Sequence, residues 1–238
     1  MGMRFSSGMR LIGGMRALSS GGGGGGSDPY FANVVLLVHG DGANGGTTFI
    51  DSSSYNRTPQ FISDVTTSNE QTIFGQNTIK SVQGTFGGSV LQYASSTDFA
   101  ANQPFTLEFQ IYITSAPFFQ PFFMGRSGTS YTIINEESKA IQFSSYPGDG
   151  GGNLTVNSWN YVAYSVNSTE VNLYINGNKM TGTSVGLSDP ATQPFGLTNI
   201  PDGIRSLQGY LAEIRYTKGV ARYSGATIPL QTAPWPNS

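Results

Sequence analysis

The sequence predicts an all-β protein, a two-sheet antiparallel sandwich carried behind an extended N-terminal arm. Three observations lead there. Tyr, Phe, Val and Ile recur in short blocks separated by Gly, Asn and Pro, which is the spacing of strands and turns. Phe105, Leu107, Phe109, Ile111 and Ile113 alternate with Thr106, Glu108, Gln110, Tyr112 and Thr114. That period of two describes a half-buried strand, apolar set inward and polar set outward. No stretch keeps a helical apolar period over three turns. The roughly 210 residues that follow the arm suffice for one sandwich with a sizeable core.

Residues 1–20 form the arm. Gly2-Met3-Arg4-Phe5, Gly8-Met9-Arg10-Leu11 and Gly14-Met15-Arg16-Ala17 repeat every six residues. An even period in an extended chain presents the same face in each copy, whereas a helix would scatter the copies. Met3, Phe5, Met9, Leu11, Met15 and Ala17 then share one edge, with Arg4, Arg10 and Arg16 on the other. The alternative is a disordered leader with chance repetition. Residues 21–27 contain an unbroken glycine run, Gly21–Gly26, and read as a flexible tether.

Residues 28–238 read as the sandwich. Val34-Val35-Leu36-Leu37-Val38 is a continuous apolar run, fitting a strand buried on both faces. Strands are expected over Tyr161–Val166 and Val171–Ile175, followed by Asn176-Gly177, a favoured type I′ turn. A late strand over Gly209–Tyr216 would carry Tyr210, Ala212, Ile214 and Tyr216 on one face. Phe118-Phe119 and Phe122-Phe123 form the densest aromatic patch, read as a core strand pair or a subunit interface.

Charged residues are 11% of the chain and the net charge is −2, which argues against broad nucleic-acid binding. The charge is divided unevenly. Residues 1–27 hold three arginines and no acid, leaving nine basic and 14 acidic residues in the remainder. Without cysteine there is neither a disulfide framework nor a thiolate metal site. No apolar run approaches the ~20 residues that span a bilayer, so membrane insertion is not expected. Leu11-Ile12 is too short for a signal-peptide core.

Catalysis is not expected. His39, the one histidine, follows a buried strand, and no Gly-x-Ser-x-Gly elbow is present. Glycoside hydrolysis usually needs two carboxylates flanking the bond. Glu108 stands alone on its strand, and Glu136-Glu137 would point to opposite faces. Neither glycine-rich segment is followed by the Lys and Ser/Thr of a phosphate loop. No cofactor is therefore expected, with calcium as the exception, since it takes oxygen ligands from loops. Asp41 and Asp51 are the candidates, although Asp51 before Ser52-Ser53 also suits a turn former. For a sugar, Tyr146, Asp149 and Asn153 combine an aromatic ring, a carboxylate and an amide in the most glycine-rich loop. The same loop also reads as a plain hairpin connection.

An ordered set of segments resembles the concanavalin A-like, laminin-G type jelly roll, especially its version in phage structural proteins. These are residues 34–42 (VVLLVHGDG), 47–53 (TTFIDSS), 105–109 (FTLEF), 159–163 (WNYVA), 171–177 (VNLYING) and 209–223 (GYLAEIRYTKGVARY). Residues 217–223 and the closing Thr232-Ala233-Pro234-Trp235-Pro236 are similar to phage tail and virion proteins. Family members often carry an acid at the position of Ala212, ahead of the acid kept here as Glu213. The resemblance implies a jelly-roll sandwich and a virion structural protein, either a capsid decoration or a tail-associated lectin for host glycans. On that reading the chain sits at the virion surface in a multi-copy array or homo-oligomer. Met3, Arg4, Phe5, Met9, Arg10, Leu11, Met15 and Arg16 would dock on a capsid or tail protein, and the domain would face outward.

Overall fold

The alternation of short β-branched and aromatic blocks with turns becomes two antiparallel sheets. The computed structural model describes residues 26–82, 89–100, 102–114, 122–126, 129–135, 140–142, 151–180, 194–199 and 206–238. Its strands, in chain order, are β1 (Val34–Val38), β2 (Phe61–Ser63), β3 (Val65–Ile73), β4 (Gln76–Ser81) and β5 (Val90–Tyr93). Next come β6 (Phe105–Ile113), β7 (Phe122–Arg126), β8 (Thr129–Asn135), β9 (Ala140–Gln142) and β10 (Gly151–Asn153). The last are β11 (Trp159–Val166), β12 (Val171–Ile175), β13 (Asn178–Lys179), β14 (Phe195–Gly196) and β15 (Gly209–Lys218). One sheet runs β13-β12-β11-β6-β15-β4-β3, with β1 also paired to β15; the other runs β10-β9-β8-β7-β14-β5-β2.

The core lies between the sheets. Phe105, Leu107, Phe109, Ile111, Val162, Tyr164, Leu173, Leu211, Ile214 and Tyr216 from the first sheet meet Leu91, Tyr93, Phe195 and Leu197 from the second. Phe99 stacks on Phe195 at 4.7 Å and Phe105 on Tyr216 at 5.3 Å, offset contacts that add to the area they bury. β1 is buried along its whole length, as its unbroken apolar run requires.

Two expectations are corrected. β6 is not half-exposed, because Thr106, Glu108 and Gln110 on its polar face are buried as fully as the apolar face. A second apolar cluster covers them: Val34, Leu37, Tyr161, Ala163, Tyr174, Ile228 and Trp235, with Phe31 and Tyr223 against it. The C-terminal segment thus lies across the outer face as a strap. β15 does not keep one parity either. Its register to β6 passes from Ala212↔Gln110 to Arg215↔Glu108, and Glu213 adopts a left-handed φ of 54°. This β-bulge adds one residue and reverses the side-chain faces beyond it. Leu211, Ile214 and Tyr216 therefore share the core face, while Tyr210 aligns with Tyr112 on the outer one.

Both ends of the first sheet are capped by neighbouring chain, which blunts free strand edges. Gly45 N–H donates to Thr67 O and Thr67 N–H to Gly46 O, each at 2.8 Å. At the other end Lys179 N–H donates to Ala226 O at 3.0 Å, and Ile228 N–H to Gly177 O at 2.8 Å.

Candidate functional site

The most elaborate polar arrangement sits where the tether joins the sandwich. Asp28 N–H donates to the Ser238 backbone oxygen at 2.8 Å, so the two ends of the domain lie side by side. The Asp28 carboxylate accepts from Arg222 Nη1 and Nη2 at 2.9 and 2.7 Å, and from Arg215 Nη1 at 3.0 Å. Arg215 also donates through Nε and Nη2 to Glu108 Oε2 at 2.9 and 2.6 Å. Tyr161 and Tyr223 donate their hydroxyls to Glu108 Oε1 at 2.5 and 2.7 Å. Trp235 of the strap closes the cluster, with the Arg215 guanidinium 3.5 Å from its ring centre, a cation–π contact.

The electrostatics follow from these partners. Burial pushes the Glu108 carboxyl upward, but Arg215, Arg222 and the two phenols outweigh it and hold it below the usual range. Asp28 behaves alike: burial raises it, and Arg222, the Tyr30 N–H and Arg215 bring it below its ordinary value. The Tyr161 phenol is driven well above its ordinary value by burial and by Glu108. A carboxylate, two phenols and two guanidiniums have reactive chemistry in other settings. Here Glu108 is 0% exposed and spends its oxygens on protein donors, so the set acts as a clasp.

A second network forms at the bulge. Glu213 Oε1 lies 2.7 Å from His39 Nδ1, and its Oε2 accepts from Trp235 N–H at 2.7 Å and Gln231 Nε2 at 3.0 Å. His39 Nε2 lies 2.8 Å from Asn237 Oδ1. Burial lowers the His39 pKa, but Glu213, Asn237 and Asp41 outweigh it, and the net shift is upward. His39 and Glu213 therefore pin the strap.

Asp51 is buried and accepts from the N–H groups of Leu37, Ser53 and Arg57 at 2.9, 3.0 and 2.8 Å, the geometry of a turn former. Asp41 stands exposed in a shallow cleft with Gly40, Gly42, Thr48, Phe49 and Ile50. Among the described residues no three His, Asp or Glu side chains converge as a metal group. Asn153 is exposed on β10, the edge of the second sheet. Tyr146 and Asp149 lie outside the described residues, as do Phe118, Phe119, Glu136, Glu137 and the whole arm from Met3 to Arg16. No described helix is long and apolar enough to cross a membrane.

Sequence reasoning missed the clasp because its members lie far apart in the chain. Only the alternation along β6, with an acid on the polar face, signalled it.

Two stacked antiparallel sheets with a strapped outer face define a lectin-like sandwich. A family model described as the concanavalin A-like lectin/glucanases superfamily, of laminin G type, matches residues 83–221, and the chain belongs to that superfamily. No curated protein matches it. Among solved structures it is similar to Trypanosoma rangeli sialidase in complex with sialic acid, at 15% identity and a TM-score of 0.55. That match covers 78% of this chain and 31% of the sialidase, so the chain corresponds to under a third of that protein. Domain 4 of an extracellular arabinanase from Geobacillus stearothermophilus, in complex with arabinotriose, matches at 16% identity and TM-score 0.53, over 79% of this chain and 94% of that one. The binding domain of paraclostridial mosquitocidal protein 1 matches at 14% identity and TM-score 0.56, over 80% and 50%. At these identities the likeness concerns the fold.

Proposed function

We propose that the protein is a display module of a phage particle: the arm docks on a capsid or tail protein, and the lectin-like sandwich faces outward to bind host surface glycan. The observation that carries this reading is the clasp at Asp28. A tether pulls on its attachment point, and here that point is tied by two arginines to the centre of the larger sheet. The basic arm and the more acidic sandwich suit separate partners. Many weakly binding copies held in an array gain avidity through effective concentration. Asp51 is committed to three backbone N–H groups whereas Asp41 is exposed, which supports Asp41 over Asp51 as the calcium candidate.

Co-sedimentation with virions lacking the protein tests the anchor. Full-length protein is expected to pellet with the particles, and a variant lacking residues 1–20 to stay in solution while keeping its melting temperature. Equal pelleting of both would move the docking surface to the sandwich and end the arm model.

A further inference from the structure

Four strand steps separate β11 from β3, about 19 Å across a flat sheet. Yet the Trp159 indole N–H on β11 donates to the Thr72 backbone oxygen on β3 at 3.0 Å. The distal half of the β3–β4 hairpin therefore folds back over the outer face of the sheet. It bends where the ladder between the two strands is interrupted, between Ser68 and Ile73. Beneath it lies an aromatic row that the strap does not use. Trp159 is opposite Tyr112, Tyr112 opposite Tyr210, and Tyr210 opposite Lys80. The rings meet edge to face, at 5.6 Å for Trp159–Tyr112 and 5.9 Å for Tyr112–Tyr210. Trp159 and Tyr112 are half-buried.

The hairpin is tied down by polar contacts. Glu70 accepts from the Tyr210 hydroxyl at 2.7 Å and from Lys80 Nζ at 2.5 Å. Ile73 and Phe74 belong to neither buried cluster, and exposed ion pairs hold weakly. The tip is costly besides. Phe74 and Gly75 have φ of 52° and 76°, a type I′ pair at whose first position Asn is favoured and a bulky ring is strained. A half-buried ring kept at the strained tip of a hairpin that crosses an aromatic row, two of whose three rings are themselves half-buried, marks a place where contact outweighs local stability.

We propose that the Trp159–Tyr112–Tyr210 row and the Phe74 hairpin above it form a binding site for a neutral oligosaccharide, with the hairpin closing over the bound chain as a flap. This rests on the glycan reading above and names its site. Ring faces suit the C–H faces of sugars, and Glu70 and Lys80 supply an acceptor and donors for hydroxyls. Their opposite charges cancel, which favours a neutral over an acidic ligand. From β11 to β4 the row spans about 14 Å, roughly three sugar units.

The test is calorimetric titration of the full-length protein with cellohexaose, chitohexaose and arabinohexaose, with sialyllactose as the acidic comparison. At least one neutral hexamer is expected to bind, and sialyllactose not to. Trp159→Ala should weaken binding by about tenfold or more. Phe74→Asn installs the residue the turn favours, so it should weaken binding while the melting temperature holds or rises. That result separates lost contact from lost folding. Full binding by both variants, with loss in Asn153→Ala, overturns the location and leaves the glycan reading standing. Tighter binding of sialyllactose overturns the ligand class. Failure of the unaltered protein to bind any of the sugars overturns both, independently of the arm experiment.

Discussion

At the scale of the single residue, His39 shows how a buried imidazole is put to structural use. Its ring bridges the Glu213 carboxylate and the Asn237 amide oxygen, so the protonated form donates at both nitrogens. The charged and polar groups facing it are Glu213, Asn237 and Asp41, and its pKa is raised. A raised folded-state value means a stabilising contribution fully present below the unfolded pKa of about 6.5 and lost as pH rises through the folded value. Urea unfolding of the full chain should therefore show stability from this group falling above about pH 6.5. His39→Gln should flatten that segment of the profile. A wild-type slope of the opposite sign there would refute the assignment of His39 to the strap.

At the scale of the element, the turns are specified by local stereochemistry. Asn176 and Gly177 have φ of 48° and 81°, the type I′ pair that matches the twist of β12 into β13. Gly177 is also short of space: an added Cβ would lie 2.9 Å from the Ile228 carbonyl oxygen, in the strap. Gly177→Ala combines left-handed strain with that contact, and should cost about 1–2 kcal/mol for the conformation alone, with the strap contact adding to it. Chemical denaturation reads this directly, and an unchanged midpoint would mean that the strap does not seat against the turn. β15 carries the opposite lesson. Glu213 takes a left-handed φ without glycine, and its carboxylate is held by three partners, His39 just after β1 and Gln231 and Trp235 of the strap.

At the scale of the whole molecule, the clasp joins both ends of the sandwich to the middle of one sheet. Its charges are buried, and such pairs are not strongly stabilising as a set. Removing one member is different, because it strands the others. Arg215→Met leaves Glu108 and Asp28 with Arg222 as their remaining cationic partner and should destabilise the protein by about 3–5 kcal/mol. Hydrogen exchange should show the loss at both ends together, at residues 28–33 and in the strap. Loss confined to one end would mean that Asp28 and the strap are held independently, and would remove the support that the clasp lends to the display reading.

Much of this was written in the chain. The all-β class, β1 as a buried strand, the β11–β12 pair, the Asn176-Gly177 turn and the superfamily likeness followed from short-range pattern, because periodicity and turn chemistry act between neighbours. The polar face of β6 was misread as solvent-facing for the same reason. Nothing local to Glu108 announces that Tyr161, Arg215 and Tyr223 will converge on it, or that Asp28 will join Arg222 across 194 positions. The parity of β15 was lost to one inserted residue at Glu213, and the aromatic row was hidden because Trp159, Tyr112 and Tyr210 become neighbours only by strand pairing. Sequence alone determined the all-β class, five of the strands (β1, β6, β11, β12 and β15) and the turn at Asn176-Gly177. Tertiary structure decided which faces are covered, since burial of a polar side chain depends on distant partners arriving together.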